Sequence, residues 1–388
     1  MKTLLARRRV ASPPTGLIAK IRQFTPNWFA VTMGTGIVFL VLNALPFDFS
    51  GRDSIAMTLW CIDIVLYLVF AVMFAARWIL FPSTILPMLR HPLQSMFLGA
   101  LPMGLVPIIN GIVLFAGDRF GTQAYSLAHA LWWFDAVLAV VVAVGVPYLA
   151  FTTQDHAADR LSAVLLLPIV APEVAASSAA TLAPHLDVQA ARVLVGAGYM
   201  LWAISVPLAF GLLTIIFFRL LIHKLPAREL AATGWLPLGP IGTGALGLLA
   251  LGRVAPQLFD GSALAGTASF AQDFGLICAL MLWGTGFWWL AIAILITARY
   301  CRNGLPFNLG WWGFTFPLGV YTLATFSLSR ALGADVLLTV GVVFAMMLGA
   351  VWIVVLWKTL KGVVRGELFV APCLSTSNRP LAKDGVVT

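Results

Sequence analysis

Glu173 follows Pro172 directly in the run LLLPIVAPEVAASSAATLAP, with Ser177, Ser178 and Thr181 close behind it. An ionisable group in so apolar a stretch is costly and usually functional. Beside a helix break the carboxyl can be linked to a proton, or it can be a buried, hydrogen-bonded structural group. Asp63 in CIDIVLYL and Asp135 in WWFDAVLAV pose the same question. Both are read as structural, bonding to a neighbouring helix or lying at a subunit contact. Hydroxyls and amides recur in other apolar runs: Thr32 and Thr35 beside Gly34 and Gly36 in PNWFAVTMGTGIVFLVLN, then Asn110, Thr243 in GPIGTGALG, and Thr315. Such groups suit an anion that must be partly dehydrated and then released. No Lys or Arg stands mid-run beside them, which favours rapid passage over tight binding. A third feature is the aromatic cluster Trp311, Trp312, Phe314 and Phe316 just ahead of Pro317. It is bulky enough to plug a channel, or it packs between helices.

The elements that must position these residues follow from composition. With 388 residues, 61% hydrophobic and 10% charged, and a mean hydropathy of +0.96, the chain is a polytopic all-α integral membrane protein. A ruler of ~20 residues per crossing gives ten transmembrane spans: 27–47, 54–81, 92–117, 122–151, 161–183, 190–222, 232–257, 268–299, 305–329 and 334–360. A single transport domain therefore covers 25–362, between an N-terminal tail at 1–24 and a polar, mobile C-terminal tail at 363–388. The start, MKTLLARRRVASPP, reaches two prolines without the apolar core of a secretory signal and reads as an uncleaved cytoplasmic tail.

Four cysteines without a CxxC pair give neither a disulfide framework nor a metal site. No cofactor is expected. The absence of HExxH, of GxSxG and of paired acids on one helix leaves an intramembrane enzyme little support. His129 reads as a helix–helix hydrogen bonder, and His156, Asp159 and Arg160 as a loop. With the N-terminus inside, nineteen Lys and Arg fall on the cytoplasmic side and five (Arg52, Arg119, Arg192, Arg253, Arg330) on the other. Both termini are thus cytoplasmic by the positive-inside rule. The net charge of +9 is this topological signal rather than a nucleic-acid footprint.

The odd-numbered spans begin 65 to 73 residues apart, as five successive helical hairpins would. Prolines concentrate in them: Pro102 and Pro107 in the third, Pro168 and Pro172 in the fifth, Pro237 and Pro240 in the seventh, Pro317 in the ninth. Broken helices at membrane depth belong where protein or a wet cavity screens the backbone. The odd helices are accordingly expected to kink at these prolines and surround a path, with the even helices wrapped outside.

FTPNWFAVTMGTGI in the first span, LLPIV in the fifth and NLGWWGFTFPLGVYTLA in the ninth resemble the tellurite-resistance/dicarboxylate transporter family. That family includes plant slow-type anion channels, fungal malate permease and fungal sulfite efflux pumps. The resemblance covers about residues 22 to 362 and is nearest the sulfite-pump branch. It implies five hairpins in quasi-fivefold array around a central pore, a homotrimer, and a ninth-helix phenylalanine occluding the pore. Through the motif that residue is Phe316; Phe314, ~200° away around a helix, is the other candidate. Glu173 departs from the family pattern.

Three classes follow: a transporter for sulfite or a similar small oxyanion, a proton-coupled C4-dicarboxylate transporter with Glu173 titrating, and a passive chloride- or nitrate-type channel. The setting is the cell inner (plasma) membrane, and lipid and a small anion are the expected partners. Cysteines substituted at 52 and 253 should label from the face opposite the N-terminus. Labelling from the same face would overturn the topology.

Overall fold

The computed structural model describes residues 16–375. Lys2, Arg7, Arg8 and Arg9 of the expected N-terminal tail, and 376–388 of the C-terminal one, lie outside the described residues. Ten long helices follow in order: α1 Phe29–Ala44, α2 Arg52–Leu80, α3 Ala100–Gly111, α4 Thr122–Thr153, α5 Leu166–Leu182, α6 Val188–His223, α7 Leu238–Phe259, α8 Ala265–Arg302, α9 Phe316–Leu332 and α10 Asp335–Val364. Among the described residues there is no strand. Nine spans there are long and apolar enough to cross a membrane, α9 with its 17 residues falling short of that length. The chain is a multi-pass, all-helical membrane protein.

Odd and even helices differ in burial as their sequences suggest. The spans containing α1, α3, α5 and α7 are 72 to 89% buried, whereas the even helices are 17 to 33% buried. The even helices expose long rows of apolar side chains, such as Val65, Val69, Val72 and Ile79 of α2, a surface suited to lipid rather than water. Contacts run α1 to α3, α3 to α5, α5 to α7, α7 to α9, and α9 back to α1, so the odd helices close a ring. Each even helix lies against two consecutive members of that ring.

Without a hydrophobic drive between helices in lipid, close packing and hydrogen bonds must hold the two layers together. The glycines provide the closeness: a Cβ on Gly242 of α7 would sit 2.8 Å from the Tyr321 backbone nitrogen of α9. Tryptophans provide the bonds. The indole N–H groups of Trp60, Trp132 and Trp202 donate to the backbone carbonyls of Ile108, Ala175 and Gly244, at 3.2, 2.9 and 3.0 Å. Those of Trp283 and Trp352 donate to the hydroxyls of Thr325 and Thr35, at 2.9 and 3.3 Å. Every outer helix thus donates one indole hydrogen bond to an inner helix.

The prolines act differently from expectation. Pro107 and Pro172 do stand inside helices, and α3 runs on into a π-helical segment, Ile112–Ala116. Pro102, Pro168, Pro240 and Pro317 instead occupy the first turns of α3, α5, α7 and α9. The first N–H groups of a helix have no intrahelical acceptor, so proline costs little there. Each inner helix is preceded by a 3-10 segment: Pro26–Trp28, Ser95–Gly99, Ala163–Leu165, Arg228–Trp235 and Leu309–Phe314. These five 3-10 segments sit at one end of the ring, the π-helical segment after α3 lying toward the other. Pro147 and Pro207 lie inside outer helices α4 and α6, so proline does not mark the inner layer strictly.

The C-terminal tail is not loose from its start. Phe369 stacks on Trp28 with ring centroids 5.0 Å apart, and the Ala371 N–H donates to the Gln23 side chain at 2.8 Å. The apolar stretch LFVAPCL has burial to gain there. Trp132→Phe, which removes one indole donor, should lower stability in detergent by roughly 1 kcal/mol. An unchanged melting curve would show that the bond carries no weight.

Candidate pore between the inner helices

All five inner helices, and the segments leading into α3, α5, α7 and α9, meet at one cavity of about 40 Å³, room for little more than a water molecule. Its wall includes Ala30 and Met33, Ala100 and Met103, Leu167 and Val170, Thr233 and Gly239, and Phe316 with Pro317. The lining is almost wholly apolar. Such a constriction sheds water and with it a hydrated ion.

The two phenylalanine candidates separate cleanly. Phe314 is buried edge-on against Trp235 and Trp311, with centroids 5.5 and 5.8 Å away, and is absent from the cavity wall. Trp312 is tied outward, its indole donating to the Thr359 hydroxyl of α10 at 3.1 Å. Phe316 lies on the cavity wall, 4% exposed. Because Leu309–Phe314 is a 3-10 segment and Phe316 starts α9, the aromatics fan out, with Phe316 and Trp312 on the cavity wall and Phe314 and Trp311 away from it.

The hydroxyls expected to line a path are mostly bonded within their own helices. Thr32, Ser177, Thr243 and Thr315 donate to the carbonyls of Phe29, Val174, Gly239 and Trp312, at 2.7 to 2.8 Å. Thr35 accepts from Trp352 of the outer layer. Gly34 and Gly36 are places of close approach: a Cβ on Gly34 would overlap Thr315 and Trp312, and one on Gly36 would overlap Pro107. Asn110 and Ser178 bridge α3 to α5 through a 2.6 Å hydrogen bond. None of these residues shares the apolar cavity. The wall residues that sequence reasoning passed over, Ala30, Met33, Met103 and Val170, carry no polar label. Spacing of three along α1 and alternation with the glycines would have been the signal.

Glu173 is fully buried, and neither carboxyl oxygen has a hydrogen-bond partner among the described residues. It lies beside Ser205 of α6, whose hydroxyl donates instead to the Ile169 carbonyl at 2.6 Å. The carboxyl therefore sits between inner and outer layers and off the cavity wall. Asp63 and Asp135 are likewise fully buried and unpartnered. Asp63 approaches the Gly36–Pro107 contact, with an oxygen 3.0 Å from where a Gly36 Cβ would stand. His129 is bonded to Trp133 at 2.9 Å, within its own helix.

At the end where the inner helices begin, two arginines are buried. Arg77 donates to Thr84 at 3.0 Å and to the Phe24 carbonyl. Arg219 donates to the carbonyls of Asp159 and Lys224, at 3.2 and 2.6 Å. Neither forms an ion pair with a carboxylate among the described residues. Among those residues, too, no group of three or more His, Cys, Asp and Glu could hold a metal.

A family model described as voltage-dependent anion channel (SLAC1) matches residues 23–360. The chain belongs to this family. It is 37% identical over 354 residues to a sulfite efflux pump of Arthroderma otae, an alignment covering 90% of this chain and 93% of that protein. An uncharacterized transporter of Methanocaldococcus jannaschii is 27% identical over 90% of this chain and 97% of its own. The malic acid transport protein of Schizosaccharomyces pombe is 21% identical over 92% and 83%. Members and relatives so named are transporters and channels, and the ring of inner helices is what this SLAC1-family chain offers for such a task. Glu173→Gln should melt no lower than the parent, since a buried charge without a partner costs more than a buried amide. A marked loss of stability would reveal a bond that the carboxyl makes.

Proposed function

We propose that this protein exports sulfite, or a closely similar small oxyanion, through the centre of the five inner helices. The observation that carries the reading is the small apolar cavity where all five converge, with Phe316 on its wall. The 37% identity to a sulfite efflux pump supplies the substrate. In this reading all ten helices cross the membrane, α9 together with Leu309–Phe314, and the five hairpins stand in quasi-fivefold array. The closed cycle of inner contacts and the five indole bridges support that arrangement. The protein sits in the plasma (inner) membrane with both termini cytoplasmic, as a homotrimer with one pore per subunit, and is not an enzyme.

The gate works by volume and dryness. Phe316 begins α9 just after a 3-10 segment, so a small change in that junction moves the ring by several ångströms. Withdrawal of the ring wets the constriction, and the Thr and Ser hydroxyls together with Asn110 line the wider parts of the path once helices turn.

A second reading, proton-coupled transport of a C4-dicarboxylate, is favoured by the malic acid transport relative and by the buried Glu173 carboxyl. Saturable, proton-moving malate flux that Glu173→Gln makes independent of pH would select it. Passive chloride or nitrate conduction would instead give unsaturated currents that follow the driving force.

Proteoliposome flux against a panel of sulfite, malate, nitrate and chloride, with and without a pH gradient, tests the substrate. In the same assay Phe316→Ala should remain folded and raise sulfite flux. Phe314→Ala should behave as a core truncation, losing ~3–5 kcal/mol of stability with no gain in flux. If Phe314→Ala opens the path and Phe316→Ala does not, the gate is on the other face of the segment. If neither raises flux, the aromatic gate is excluded.

A further inference from the structure

Beneath the inner ring, on its basic side, lies a second and much larger cavity of about 1080 Å³, built from the connections between α2 and α3, α4 and α5, and α6 and α7. Val164 is on the wall of both this cavity and the small apolar one, so the two adjoin at the foot of α5. Ser162 lies on the wall of the large cavity. It holds the N-cap position of the turn Ala163–Leu165 that leads into α5, with φ −147° and ψ 167°, yet makes no capping hydrogen bond. Its hydroxyl is 6% exposed and has no hydrogen-bond partner among the described residues.

An N-cap serine usually occupies the free N–H groups of its helix. Here the hydroxyl makes no such bond and is left for a ligand, whereas the first N–H of α5, on Leu166, is already held by the Ala163 and Val164 carbonyls. His91, on the same wall, accepts the Leu93 and Gln94 N–H groups on Nδ1, at 3.2 and 3.3 Å. Burial pushes its imidazole below the ordinary value. The neutral ring therefore carries its proton on Nε2 and is a donor there. Arg219, with its guanidinium bonded only to carbonyls, adds a buried positive charge, and Arg90 and Arg160 stand exposed at the mouth. Asp155 and Asp159 also border the cavity but are exposed, where water screens them.

We propose that this cavity is a capture site for the oxyanion on the cytoplasmic side, with the Ser162 hydroxyl and the His91 Nε2–H binding the ion before it enters the pore. The inference rests on the transport reading above and adds a second, off-axis binding step to it. Donors without acceptors, fixed charge set back from the wall, and direct adjacency to the constriction make a site that concentrates an anion without trapping it. The size of the cavity admits the ion with much of its hydration.

Ser162→Ala removes a hydroxyl that holds nothing else in the protein, so folding should be unaffected. Sulfite flux started from the cytoplasmic face should then need about tenfold more sulfite for half-saturation, the loss of one hydrogen bond to a charged group. Maximal flux, and flux started from the outer face, should not change. Arg160→Gln should shift the same constant in the same direction, and less at high salt. An unchanged constant in Ser162→Ala, or equal changes from both faces, would overturn the capture site. The second measurement is the melting temperature of detergent-solubilised protein with added sodium sulfite. If the wild type moves no sulfite, the transport reading fails, and the melting shift alone decides the site. A sulfite-dependent rise that Ser162→Ala abolishes upholds it, and equal rises or none in the wild type remove it.

Discussion

The hydrogen bond from an outer-helix indole to an inner-helix acceptor is the interaction on which the rest of this structure depends. In lipid, apolar side chains gain little by choosing a neighbouring helix over the bilayer, so apolar surface alone cannot fix how the inner helices are rotated. Trp60, Trp132, Trp202, Trp283 and Trp352 each bond to a particular position on the next layer. With the glycine contacts, these bonds set which side of each inner helix faces its neighbours. The remaining side faces the axis by elimination. For α1 the consequence is direct: Thr35 is held by Trp352 and Gly34 lies against α9, which leaves Ala30 and Met33 at the cavity.

That chain of causes explains what could be read in the sequence and what could not. The order of the apolar spans was legible because runs of bilayer length are separated by short polar connections, and nine of the ten expected are long and apolar enough to cross a membrane among the described residues. The division into layers was legible from proline, though for a different reason than a mid-membrane break. Pro102, Pro168, Pro240 and Pro317 open their helices, and the shared 3-10 approach is the repeated feature. The residues on the wall of the apolar cavity were not legible from residue type. A threonine within a helix satisfies its own donor on the preceding turn, as Thr32, Thr243 and Thr315 do, so polarity did not report where the axis runs. Glycine misled similarly, since Gly34 and Gly36 mark close approach rather than an opening.

Electrostatics is arranged along the axis of the ring rather than within it. The apolar cavity holds no charge, whereas Arg77 and Arg219 are buried near the segments that lead into it, bonded to carbonyls, a hydroxyl and a thiol. A cation bonded to neutral acceptors keeps its long-range field, which a carboxylate partner would cancel. An anion is thus drawn toward the mouth and meets no fixed positive charge in the narrow part. Conduction requires that combination, because a site strong enough to hold a dehydrated ion would also hold it too long.

The buried acids complete this logic. A negative charge about 5 Å from a passing anion would raise its energy by about 3 kcal/mol at an effective dielectric constant of about 20, enough to slow passage more than a hundredfold. Glu173 is on an inner helix, and about half a turn of rotation of that helix would bring it to the centre of the ring. The helix instead turns Ala175 to the indole of Trp132 and Ser178 to Asn110. Glu173 then falls on the side of Ser205 and α6. The same bonds that close the ring therefore keep the acid out of it. A carboxyl so placed stays off the cavity wall whatever its charge.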